Sequence, residues 1–170
     1  MKIRIHGIED GKHKIELKEN VKNIPYFFTE FVDDTQITGV LTKSKNRFHF
    51  VGTAKCNAKL ICDFSLEEFI EEISADIQIN FIANTALFYL QKNNAKETKE
   101  IAVHEDDEFF DISTEVKDAL AVSIPMKRVA PKYKGKTFAD VFPQLANKNE
   151  NQNNEIADSR WEKLKHINLN

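Results

Sequence analysis

The chain has 170 residues, 41% of them hydrophobic and 30% charged, with 24 basic and 27 acidic side chains for a net charge of −3. That is one domain's length of ordinary globular composition, with enough apolar material for a real core. It excludes a membrane-spanning helix, since no run reaches the roughly 18 apolar residues required. With only Cys56 and Cys62, it also excludes a disulfide framework or a complete thiolate zinc site.

From the N-terminus, Ile3 and Ile5 alternate with charged residues, Gly7 to Gly11 forms a turn, and Ile15 and Leu17 alternate again. This predicts a strand, a short loop and a second strand with hairpin spacing. The opening MKIRIHGIEDGK lacks the apolar stretch and cleavage site of a signal peptide, so a cytoplasmic protein with no membrane partner is expected. Ile24, Phe27, Phe28 and Phe31 fit a short amphipathic helix starting at Pro25. From Gln36 to Ile61 the pattern is strands again, broken by a polar turn at Lys43 to Asn46. Phe48, Phe50, Gly52, Ala58, Leu60 and Cys62 keep a period of two. Ser65 with Glu68 has the spacing of a capping box for a short helical turn.

Ile73, Ala75, Ile77, Ile79 and Phe81 alternate strictly and predict a strand. Thr85 to Leu90 reads as another strand, Asn93-Asn94 as a turn and Ile101 to Val103 as a further short strand. His104 to Glu108 (HEDDE) is an acidic loop. Asp111 or Ser113 caps a predicted helix running to about Ile124, with Val116, Ala119, Leu120 and Ile124 on one face and Glu115 in its first turn. Pro125 ends it. Phe138, Val141 and Phe142 predict a last short helical segment ending near Pro143. Residues 146–157 are polar and low in complexity and are expected to form a disordered linker. Residues 158–170 regain a helical pattern, with Ser159 and Glu162 at capping-box spacing and Trp161, Leu164 and Ile167 sharing a face. The expected fold is therefore α+β. A single domain over residues 1–145 holds a mostly antiparallel sheet, open or barrel-like, and a few short helices, and a C-terminal helical tail follows the linker. The 13 phenylalanines are read as core filling.

Catalytic and metal chemistry find no foothold. His104-Glu105 lacks a second histidine four residues on, and His6, His13, His49 and His166 stand singly. Asp106, Asp107, Glu108 and Asp111 lack the glycine and spacing of a calcium loop. None of the five glycines cluster as in a phosphate-binding loop. The expectation is a non-enzyme without cofactor.

Charge distribution is more informative than its total. Residues 1–62 carry eleven basic and seven acidic side chains, residues 63–124 four and fifteen, and residues 125–170 nine and five. Such segregation predicts a basic face and an acidic face. The sharpest feature is Pro125 to Lys136, PMKRVAPKYKGK, where Lys127, Arg128, Lys132, Lys134 and Lys136 surround Tyr133 with no acid among them. Prolines and a glycine keep this stretch from a regular helix, so its cations are available to phosphates, and Tyr133 to an unpaired base.

Three segments carry a family resemblance. Leu60-Ile-Cys-Asp-Phe-Ser-Leu-Glu-Glu68, with Cys62, Asp63, Ser65 and Leu66, resembles the central "C-x-x-C-L" segment of the YceD-like family, the large ribosomal RNA subunit accumulation proteins. Asp111 in Phe110-Asp-Ile-Ser113, followed by Leu120 to Pro125, is similar to a second segment. Asp158-Ser-Arg-Trp-Glu-Lys-Leu164, with Asp158, Arg160 and Trp161, is similar to the C-terminal "D-P-R-W-x-x-L" signature. Where many members carry two cysteine pairs, this chain keeps Cys62, has Ser65 in place of its mate, and has no cysteine after Pro125, so any metal site of the family is absent. The resemblance implies a bacterial or plastid factor for accumulation or maturation of large-subunit ribosomal RNA. Expected partners are ribosomal RNA or a large-subunit assembly intermediate, contacted by the loop cations with Arg160, Lys163 and Lys165 of the tail. The alternative is an adaptor whose acidic surface binds a basic ribosomal protein without touching RNA.

Overall fold

A computed structural model describes residues 1–93 and 100–144. Five strands form one sheet in the order β2-β3-β4-β5-β6: β2 (Gly11–Asn20), β3 (Phe31–Ser44), β4 (Arg47–Ile61), β5 (Glu68–Ala83) and β6 (Ile101–Val103). The first four are antiparallel neighbours, and β6 joins β5 in parallel across a connection containing helix α1 (Thr85–Asn93). The sheet is mixed and open, so the barrel-like alternative is corrected: β2 and β6 are its edges, and among the described residues no strand pairing joins them.

Alternation builds the core. On β4, Phe48, Phe50, Ala54, Cys56, Ala58 and Leu60 point inward, and on β5 Ile73, Ala75, Ile77, Ile79 and Phe81 do the same. The intervening residues form a solvated outer face, as period two requires. A two-stranded ribbon of β1 (Lys2–Arg4) and β7 (Phe109–Asp111), together with helix α2 (Ser113–Val122), covers the inner face. Phe110 of the ribbon stacks on Phe81 with ring centroids 4.1 Å apart, and Phe81 stacks on Phe48 at 4.8 Å. Val116 and Leu120 of α2 are fully buried. Gly39 and Gly52 face each other across β3 and β4. A Cβ on either would come within 2.8 Å of the Phe50 ring, so these glycines let that ring lie flat on the backbone.

Other expectations are corrected. The first strand pairs with β7, which the sequence reading did not foresee, and not with β2. The stretch from Pro25 is irregular turn, because Tyr26 takes a left-handed backbone (φ 57°) that no α-helix accommodates, and the helical turn nearest it is the 3-10 turn of Val21–Asn23. Ser65 caps no helix. Leu66 is left-handed (φ 57°) and β5 starts at Glu68. Thr85 to Leu90 is helical: the Asn84 side chain accepts the Leu87 N–H at 3.0 Å as an N-cap, and an unbroken apolar run of that length does not distinguish strand from helix by periodicity. The long strands across the Lys43–Asn46 turn, β5, β6, the course of α2 and the short helix α3 (Phe138–Val141) are as expected. Neither Asp111 nor Ser113 caps α2, however: Ser113 is its first residue, and its N-cap is Ile112, whose side chain has no oxygen to accept a hydrogen bond. The linker and tail lie outside the described residues.

Candidate nucleic-acid interface

The loop after α2 is held by the connection between β4 and β5. Asp63 takes part twice: its N–H donates to the Arg128 carbonyl at 2.8 Å, and its carboxylate accepts the Arg128 N–H at 2.7 Å. Cys62 lies beneath this clamp with no exposed surface, and its sulfur accepts the Ala130 N–H at 3.4 Å. Burial by itself pushes the Cys62 thiol up, but the N–H groups of Ala130, Ser65 and Phe64 and the Ser65 hydroxyl outweigh it and hold the thiol down at about 7. Cys56 has no such nest, and burial raises its thiol. Past the clamp, Pro131–Tyr133 makes a 3-10 turn in which the Tyr133 N–H donates to the Ala130 carbonyl at 2.8 Å.

Much of the loop's charge is answered within the chain. Lys132 is paired with Glu67, and Lys134 with Glu71 at 2.7 Å. The hydrogen bond from Lys132 lowers the Glu67 carboxyl, and the same bond raises the Lys132 ammonium. Lys127 sits 5.1 Å above the Phe64 ring, which meets the Tyr133 ring edge-on at 6.4 Å. Arg128 and Lys136 have no ion pair among the described residues. Lys127, Tyr133, Lys134 and Lys136, with Pro125, Val129 and Gly135, line an open hollow of about 340 Å³ that has Glu71 on its wall. The fold thus brings Lys127, Lys134 and Lys136 to one hollow, while pairing Glu67 with Lys132 and Glu71 with Lys134. Sequence reasoning missed those two acids. They lie more than 60 residues from the lysines they meet, although both belong to the acidic stretch already evident in the charge pattern.

The residues of the family-like segments have structural positions of their own. Cys62 and Asp63 anchor the loop as above. Ser65 donates its hydroxyl to Glu67 at 3.1 Å, and Leu66 is exposed at the turn. Asp111 accepts the Ser113 N–H at 2.9 Å at the entrance to α2, and Pro125 follows that helix. Asp158, Arg160, Trp161, Lys163 and Lys165 lie outside the described residues. No group of three or more His, Cys, Asp or Glu able to hold a metal occurs among the described residues, and no helix there is long and apolar enough to cross a membrane.

The family model described as large ribosomal RNA subunit accumulation protein YceD matches residues 50–168, well over half of the chain. No curated protein and no solved structure matches it.

Proposed function

The chain belongs to the YceD family, and on that premise we propose that it is a non-enzymatic cytoplasmic factor of large-subunit assembly, contacting ribosomal RNA or an assembly intermediate through loop 127–136. The observation that carries this reading is the clustering of Lys127, Lys134 and Lys136 with Tyr133 around one open hollow, beside the unpaired Arg128. Phosphates entering there gain counterion release from Lys127, Arg128 and Lys136 directly, and compete with carboxylates for Lys132 and Lys134. The half-buried Tyr133 ring carries the Lys132 ammonium over it at 5.0 Å, so an unpaired base stacks on its other face or displaces that lysine. Phosphate contacts position a partner without reading its sequence, so selectivity comes from RNA shape or from a protein partner.

Ultraviolet crosslinking of the tagged full-length chain in its own cells, with sequencing of the attached RNA, tests this reading. Reads concentrated at discrete positions of large-subunit ribosomal RNA support it. The same read profile as an untagged control overturns direct RNA contact.

A further inference from the structure

Helix α1 is inverted relative to an ordinary surface helix. Its sequence, TALFYLQKN, is mostly apolar, yet none of its residues from Thr85 to Lys92 is buried. Leu87, Tyr89 and Leu90 are 39%, 53% and 56% exposed. The polar Gln91 faces the body of the protein instead, where its amide donates to the Glu100 carbonyl at 3.0 Å and accepts the Ala102 N–H at 2.9 Å, covering the edge of β6. Nine residues are too few for a helix to persist on its own in water. The Asn84 cap, the Gln91 bonds and the Phe88 ring against His104 (6.1 Å) therefore hold α1 with its apolar side turned outward. A contiguous apolar surface with a polar rim marks an interaction site in a soluble domain.

The rim defines the partner. The loop Glu105 to Glu108 abuts the helix: the Glu105 N–H donates to the Thr85 hydroxyl at 3.4 Å, and the His104 ring meets that of Tyr89 at 6.1 Å. Glu105, Asp106, Asp107 and Glu108 are all exposed, and no lysine or arginine forms an ion pair with them among the described residues; the His104 ring lies 3.6 Å from the Asp106 carboxylate and its Nδ1 accepts the Asp106 N–H at 3.2 Å. We propose that this face docks a cationic amphipathic segment of a partner protein, its apolar side covering Leu87, Tyr89 and Leu90 and its basic side meeting Glu105 to Glu108. RNA is a poor occupant, because the four carboxylates repel its phosphates. The second surface lies apart from the loop cations and does not depend on their role.

A fluorescent 18-residue helical peptide of leucine and lysine in amphipathic order, titrated into the full-length chain without RNA, tests the assignment. A scrambled peptide of the same composition is the control. The ordered peptide is expected to bind at least tenfold more tightly than the scrambled one. Both L87S/L90S and E105Q/D106N/D107N should weaken binding tenfold or more while leaving circular dichroism and thermal midpoint essentially unchanged. Equal binding to the L87S/L90S variant overturns the proposal, since charge attraction alone would then explain the signal. Two other results overturn it by naming a different occupant. A dimer of the free chain that L87S/L90S dissolves assigns the face to a second copy. A tenfold gain in peptide affinity on deleting residues 158–170 assigns it to the chain's own tail. Because no RNA is present, failure here leaves the ribosomal RNA reading standing.

Discussion

The two ends of β5 carry surfaces that are opposites. At the Glu68 end, a loop that looks in sequence like a free cationic arm is tied down by Asp63, Glu67, Glu71 and the sulfur of Cys62. At the Ala83 end, an apolar run that reads as a strand is a helix with its leucines partly exposed to solvent. The contrast teaches that conspicuous charge is often satisfied within the chain, because a folded protein brings distant acids to it. An unsatisfied apolar face is rarer and says more about partners.

The largest expected effect separates α1 from α2. Leu120→Ala removes a fully buried side chain of α2 and should cost about 2–5 kcal/mol. Leu90→Ala should stay within about 0.5 kcal/mol, as for a surface change. Urea denaturation of both variants measures the difference, and a large loss at Leu90 would mean that α1 is part of the core after all.

Within the loop, the cations without an ion pair among the described residues should dominate RNA binding. Replacing Lys127, Arg128 and Lys136 with Ser should flatten the logarithmic salt dependence of ribosomal RNA affinity by roughly 2 to 3, at about 0.7–0.9 per lost phosphate contact. Lys132→Ser with Lys134→Ser should change that slope by less, because both lysines already have carboxylate partners. Filter binding over a salt series distinguishes the two sets, and equal slopes would erase the distinction between free and tied cations.

Cys62 tests the tether through pH. Its thiol is held at about 7 in the folded chain, below its ordinary value in an unfolded one. The thiolate contribution is therefore complete above the ordinary thiol range and is lost as pH falls through about 7. The stability of the native chain minus that of Cys62→Ser should rise between pH 7 and pH 9, read as urea midpoints at pH 7, 8 and 9. A flat difference would mean that the surrounding N–H groups do not favour the thiolate. The smallest effect is expected from Glu67→Gln, which releases Lys132. RNA affinity should rise a few-fold with a salt slope steeper by about one contact, while stability barely moves, as for other exposed ion pairs.

The sequence alone determined whatever rests on local spacing. Strict alternation marked β5, a period of two marked the strand after the Lys43–Asn46 turn, and the polar turn itself marked the strand before it. Four-residue spacing with Pro125 marked α2, and the residues around Cys62 and Asp111 carried the family resemblance that the match over residues 50–168 now supports. Local spacing also located the loop cations, but not their state. Only the tertiary structure decided that Glu67 and Glu71 would meet Lys132 and Lys134, that β1 would pair with β7 across more than 100 residues, and that α1 would turn its apolar side outward. Periodicity reports which side of an element is apolar, whereas burial and charge pairing depend on what the rest of the chain brings to that side.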